Sequence, residues 1–352
     1  MRQTEKAAAA EGVGEVAPPA EKQERSPRKK FKWREDYFGI IFIIPFFAVY
    51  ALFSLYPMVY SIVLSVTDYE GYNQAISIIG FENFAWLATQ QRFWQSLLNT
   101  VMIFCMNFVP QMLFALIFAA MFTGKTYKMR GKGAFKAIYY LPNILTATSV
   151  AVMFYTLFAR PSGGLWQLFV KMGMEESINF YLMPWPSRII IAFIQFWMWF
   201  GNSMITLSAG ILGINPSVFE AAQLDGASQK DIFLHITLPL IKPIVVYSLV
   251  VSTLGGLQVF DIPYLFLSGG PVMEGGRNAT ETIAVYIYKI AFTGEMRYNV
   301  ASAASVYLFV ICMIVSFVLF RVTHTDERKS EERAQRRIWG KGYKGKGEVK
   351  GL

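Results

Sequence analysis

Residues 189–219 read IIIAFIQFWMWFGNSMITLSAGILGINPSVF, 31 positions without a Lys, Arg, Asp or Glu. A helix needs about 20 largely apolar residues to cross the hydrocarbon core of a bilayer. Five more uncharged windows flank this one, at 37–67, 93–124, 137–159, 243–260 and 298–320, with 31, 32, 23, 18 and 23 residues. None alternates apolar with polar residues as the strands of a membrane barrel do. The whole chain has 352 residues and is 54% hydrophobic and 16% charged, against about 25% charged in soluble domains. A soluble enzyme, a disordered protein and a secreted disulfide scaffold are excluded. The expected fold is all-α: a polytopic membrane protein with six transmembrane helices at about 38–60, 97–122, 137–158, 188–211, 243–266 and 299–320.

The net charge of +9 is concentrated between and beyond these windows. Residues 1–36 hold nine Lys/Arg, residues 321–352 hold ten, and 125–136 (KTYKMRGKGAFK) hold five with no acid. Basic segments beside spans mark the cytoplasmic side and are not a nucleic-acid groove. Both termini are therefore expected in the cytoplasm, with 67–96, 159–187 and 267–298 outside. The chain divides into a disordered tail at 1–36, a transmembrane domain at 37–320 and a basic tail at 321–352. Within 67–96, residues 81–96 (FENFAWLATQQRFWQS) read as a short interfacial helix carried by its aromatics. The segment 268–281 reads as a turn-rich loop.

The window at 189–219 runs into LGINPSVFEAAQLDGASQKDIFLHITLPLIK (212–242), a segment expected in the cytoplasm although it has no positive excess. Pro216 suits the first turn of a helix, and Gly226 ends that helix in a left-handed conformation. Ser228 starts a second short helix with Asp231 as its capping acid, and Leu238-Pro239 is expected to stop it. The result is helix, glycine turn, helix, with neither helix long enough to cross the membrane.

Glu220-Ala221-Ala222, Asp225-Gly226-Ala227 and Ile236-Thr237-Leu238-Pro239 together resemble the EAA loop of ABC importer permeases. FENFAWLATQQRFWQSLLNT (81–100), FDIPYLFLSGGP (260–271) and ATETIAVYIYKIAF (279–292) are similar to the carbohydrate-type permeases of that group (MalF/UgpA-like), so the resemblance covers roughly 37–320. It implies a type I importer permease in a bacterial inner membrane. It also implies a second permease, two ATP-binding cassette ATPase subunits and an external sugar-binding protein as partners. Glu220, Ala221, Ala222, Asp225, Gly226, Leu238 and Pro239 would couple to the ATPase. ATP and magnesium would sit on that subunit and no cofactor on this chain. The tail sequence Gly340–Gly347 has the G-x-x-x-x-G-K spacing of a phosphate loop, but Gly347 stands where Ser or Thr would hold magnesium.

Polar side chains inside spans are costly in lipid and tend to face a cavity or another helix. In the fourth span Gln195, Trp199 and Asn202 share one helical face, with Trp197 pointing elsewhere. In the fifth, Gln258, Phe260 and Asp261 follow Gly255-Gly256. Amides and a carboxylate beside aromatic rings suit a sugar, whose hydroxyls need hydrogen bonds and whose C–H faces stack on rings. By resemblance these two spans line the sugar site; amides also serve as glue between helices. No Lys or Arg falls in the middle of a span, which favours a neutral solute over a phosphate or carboxylate. Cys105, Cys312, His235 and His324 are too few for a metal or catalytic site. The competing reading is an ion-coupled secondary transporter of a small polar solute, which would show internal repeats and midplane carboxylates.

Overall fold

The computed structural model describes residues 33–71, 76–123, 131–293 and 296–339. The readings of 1–32 as disordered, of 340–352 as a basic tail, of Gly340–Gly347 and of the basic residues within 124–130 lie outside them. Among the described residues the only β pairing is two isolated bridges, Thr67 with Ile78 and Val272 with Asn278.

The chain falls into two compact units, 1–56 and 57–352. The first contains α1 (Trp33–Tyr50), followed by a π-type turn at Ala51–Leu55. Residues 33–36, expected in the disordered tail, already belong to α1. The apolar helical stretch Ile41–Ser65 is long enough to span a membrane.

The second unit opens, from Pro57, within α2 (Tyr56–Ser65) and continues with α3 (Glu82–Thr89), α4 (Gln91–Thr123), α5 (Lys132–Ile144), α6 (Ala147–Phe158) and α7 (Gly164–Lys171). There follow α8 (Pro184–Leu212), α9 (Pro216–Leu224), α10 (Gln229–Asp231), a π-type stretch Ile232–Thr237, α11 (Leu238–Leu240) and α12 (Lys242–Leu257). The chain continues with α13 (Asp261–Leu267), α14 (Ile283–Tyr288) with a π-type end Lys289–Thr293, and α15 (Tyr298–Trp339). Among the described residues, four stretches besides Ile41–Ser65 are span-length: Gln91–Thr123, Pro184–Leu212, Lys242–Leu267 and Tyr298–Arg321. The third expected span, at about 137–158, is a broken one. Its halves, α5 and α6, meet at a 94° bend. Thr146 makes that corner by accepting the Ser149 N–H at 3.3 Å, the N-cap of a new helix.

At 33 residues, α4 is about 50 Å long and supplies side chains to all three apolar clusters of this unit. Phe93 packs with Leu87, Tyr286 and Val300; Ile103 with Phe154, Ile191 and Phe266; Ala115 and Ala119 with Met204 and Leu207. The interfacial helix expected over 81–96 is therefore shorter. It ends at Thr89, and Phe93 is a core residue of α4. Gly201 brings α8 onto the backbone of Tyr139 in α5, and Gly256 brings α12 onto the Phe104 ring of α4. In a bilayer such small residues are what permit close helix packing. Gln111 donates to Ser203 Oγ at 2.8 Å, a buried tie between α4 and α8.

The fifth span is also interrupted. Pro263 has no N–H and its ring clashes with the carbonyl four residues back, that of Val259. The helix stops at Leu257 and restarts at Asp261. The freed Val259 carbonyl accepts a hydrogen bond from Thr282 Oγ1 at 2.7 Å. The long α15 runs on through Arg321 to Trp339, so the start of the expected C-terminal tail is helical.

Candidate functional site

The segment 212–242 forms the helix, glycine turn and helix read from its sequence. Asn215 caps α9 by accepting the Ser217 N–H at 3.1 Å, with Pro216 in the first turn. Gly226 has φ +77°, and Ala227 N–H closes the turn on Ala222 O at 3.0 Å. Ser228 caps α10, accepting the Asp231 N–H at 3.2 Å and donating to its carboxylate at 2.5 Å. That bond holds Asp231 below the usual carboxylate range. Leu238-Pro239 does not stop the second helix. The backbone passes through the π-type stretch into α11, where Pro239 occupies a first-turn position that needs no N–H. It turns only at Ile241, with φ −89° and ψ 2°.

Ala222 is buried, whereas Glu220, Ala221, Asp225, Gly226 and Pro239 are exposed and Leu238 is half-buried. Leu224 is 89% exposed, with Val218 and Leu234 also exposed. Apolar side chains standing out among polar ones mark a contact surface. Behind α9, a cavity of about 250 Å³ lies among Met121, Ile211, Phe219, Ile232 and Phe233.

The six expected solute residues separate into two groups. Gln258, exposed, and Phe260 and Asp261 lie together at the break of the fifth span, where Phe260 stacks on Tyr264 with ring centroids 5.1 Å apart. The face of α8 is uneven: Gln195 is buried, Asn202 half-buried and Trp199 exposed. Trp197 does point elsewhere, into the core against Phe154. Among the described residues no hydrogen bond, ion pair or ring contact joins the two groups. Non-helical backbone at membrane depth is tolerated only where protein buries it or a wet cavity faces it. The break with its exposed amide and carboxylate is thus the more distinctive of the two.

The sequence reading missed the network that holds this break. Arg92 donates twice to Glu281, at 2.8 Å each, while Lys289 sits 3.2 Å from the same carboxylate. Burial works against ionising Glu281, but Arg92 and Lys289 outweigh it and hold the carboxyl below its usual range. Arg188, buried near the start of α8, donates to Ala279 O at 2.9 Å and to Asn99 Oδ1 at 3.0 Å. Asn99 in turn donates to the carbonyls of Asn278 and Glu281. The loop that supplies Thr282 is therefore tied to α4 and α8. Glu281 and Arg92 stood out in sequence only as lone charges in apolar or turn-rich stretches.

Apolar span-length helices with a helix, glycine turn and helix between two of them fit a membrane permease. The chain belongs to the binding-protein-dependent transport system inner membrane component family, whose model matches residues 84–325. It is 30% identical over 294 residues to the lactose transport system permease protein LacF of Rhizobium radiobacter, covering 83% of this chain and 96% of that one. It is 27% identical to the trehalose/maltose transport system permease protein MalF of Thermococcus litoralis, covering 83% and 96%. A crystal structure of a bacterial alginate ABC transporter bound to its alginate-loaded periplasmic protein contains a chain of the same fold, with TM-score 0.68 and 24% identity, covering 81% of this chain and 93% of that one. The fold is that of the type I ABC importer permease, and the protein is a membrane component of such an importer.

Proposed function

We propose that this chain is one permease half of an ATP-driven carbohydrate importer in a bacterial cytoplasmic membrane. The observation that carries the proposal is the 216–239 loop: a capped helix, a left-handed Gly226 and a second capped helix, with Leu224 exposed beside Glu220. An ATPase subunit would take up this surface, with Glu220 meeting a basic group there. Two ATPases, a second permease and an external sugar-binding protein complete the assembly. Closure of the ATPases on ATP and magnesium moves the loop and switches the spans between inward and outward access. Both termini and the loop lie in the cytoplasm, and 268–281 lies outside.

The sugar reading rests on the relatives' carbohydrate substrates and on the break at Gln258, Phe260 and Asp261. These three residues supply an amide, a ring face and a carboxylate for a polyhydroxylated neutral solute. Exposed here, they would line a path closed on its other side by the partner permease, with Trp199 and Asn202 contributing from α8. The test is reconstitution of the chain with its partner permease, ATPases and binding protein in liposomes. Sugar uptake that depends on internal ATP supports the reading. Uptake that persists without ATP and collapses with an ion gradient refutes it.

A further inference from the structure

Five aromatic rings form a continuous chain that begins at the break in the fifth span. Phe260 and Tyr264 are 5.1 Å apart between centroids, Tyr264 and Tyr288 4.9 Å, Tyr288 and Phe292 5.4 Å, and Phe292 and Tyr298 6.0 Å. They come from three places: α13 with its N-cap Phe260, the α14 helix with its π-type end, and the start of α15. Phe292 is 58% exposed and the other four are half-buried. The chain leads from Asp261 to Tyr298 at the first residue of α15, the end of that span proposed to face outward.

Aromatics that anchor a protein at the bilayer surface sit at the headgroup level; here Phe260 and Tyr264 belong to the fifth span, Tyr288 and Phe292 to the segment proposed to lie outside, and Tyr298 is the first residue of α15. The foot of the chain argues against lipid. Asp261 is exposed and lies three residues before Tyr264, on the same face of α13. A carboxylate facing hydrocarbon is expensive, so the face it shares with Tyr264 is wet. Rings that are apolar on their faces and polar at a phenol edge suit a chain of sugar rings, which can slide from one to the next without leaving a buried hydroxyl unpaired. Asp261 at the foot repels a carboxylate-bearing sugar.

We infer that Phe260, Tyr264, Tyr288, Phe292 and Tyr298 form a stacking track for a linear neutral oligosaccharide, leading it from the outer surface to the break at Gln258–Asp261. This rests on the carbohydrate-importer reading and adds to it a preference for substrate length. The test uses the complete transporter in liposomes with three linear series, gluco-, galacto- and arabino-oligosaccharides from disaccharide to hexasaccharide. The series best taken up by the wild type is then compared in Phe292→Leu and Tyr288→Leu, which keep apolar bulk and lose the ring. The track predicts that the KM ratio of hexasaccharide to disaccharide rises by roughly fivefold or more in both variants. Equal changes at every length, or none, overturn the track, as does a defect that follows lipid composition instead of sugar length. Phe292→Leu, at the most exposed ring, keeps the test decisive if Tyr288→Leu fails to assemble. Absence of wild-type uptake for all three series refutes the carbohydrate reading itself, and Phe292→Leu is not then informative about lipid or protein alternatives because the track falls with it.

Discussion

Arg92 and Glu281 are 189 positions apart and meet through two hydrogen bonds of 2.8 Å, joining the start of α4 to the loop that caps the broken fifth span. Glu281 is almost fully buried, while the Arg92 side chain is 38% exposed. The two partners are therefore unequal in what their loss leaves behind. Without Glu281, Arg92 can turn to water. Without Arg92, the carboxylate stays buried with only Lys289 and the Asn278 amide, which donates to it at 3.2 Å.

Arg92→Ala is accordingly expected to destabilise more than Glu281→Gln, and Arg92→Ala with Lys289→Met more than either. Breaking a buried pair from one side costs about 3–5 kcal/mol, and the remaining Lys289 should keep the single Arg92 variant at the low end. Thermal melting of the purified complex in detergent, read by size exclusion, gives the order. Equal melting of all three variants would mean that the loop is held by its backbone contacts alone.

The same carboxyl gives a pH dependence. Its folded pKa lies below its usual value, so its contribution to stability is fully present above the unfolded pKa of about 4.3 and is lost as pH falls through the folded value. The wild-type melting temperature should be insensitive to Glu281 from neutral pH down to about 5 and should drop in stronger acid. Glu281→Gln should show a shallower acid drop, measured on the same melting assay.

Gly226→Val tests the coupling loop. Nothing lies within 4 Å of the Cβ position it would add, so the penalty comes from φ +77° alone. A left-handed conformation costs an L-residue about 1–2 kcal/mol, and a β-branched one adopts it least readily. Expected are normal insertion, loss of ATPase capture or of transport-linked ATP hydrolysis, and partial rescue by Gly226→Asn. Wild-type hydrolysis and uptake in Gly226→Val would show that the turn is a mere connector.

Gly255 and Gly256 are neighbours with opposite surroundings. A Cβ on Gly256 runs into the Phe104 ring, whereas one on Gly255 meets nothing within 4 Å. Gly256→Ala should lower stability by about 1–3 kcal/mol through overpacking, and Gly255→Ala should not. Melting curves of the two variants settle this, and equal effects would show that α12 does not pack closely on α4 in the membrane.

Orientation has its own measurement. In a background with Cys105 and Cys312 replaced, a cysteine at 275 should react with an impermeant maleimide added outside whole cells, and one at 226 should not. The reverse pattern would place the coupling loop on the wrong side for an ATPase.

The charge-free windows by themselves determined the number of apolar segments and the class of fold, because a bilayer leaves so few ways to bury backbone polar groups. The 212–242 loop was legible up to its end: Pro216, Gly226 and Ser228 act through local backbone geometry, which a sequence carries on its surface, whereas the expected stop at Leu238-Pro239 did not occur. The two broken spans were only half legible. Pro263 lies four residues after Val259 in plain view, yet whether a proline ends a helix or is absorbed, as Pro239 is in α11, depends on who takes up the freed carbonyl. Thr282 does so here, from a loop that only the fold brings alongside. The Arg92–Glu281 pair and the contact of Arg188 with Ala279 were invisible for the same reason, since each joins residues about 90 to 190 positions apart. Likewise Gln195, Trp199 and Asn202 share a face by helical period, but burying the first and exposing the second was decided by which helices pack against α8. Local propensity writes turns, caps and spans into the chain, and tertiary contact alone chooses which polar groups are paired and which are left exposed.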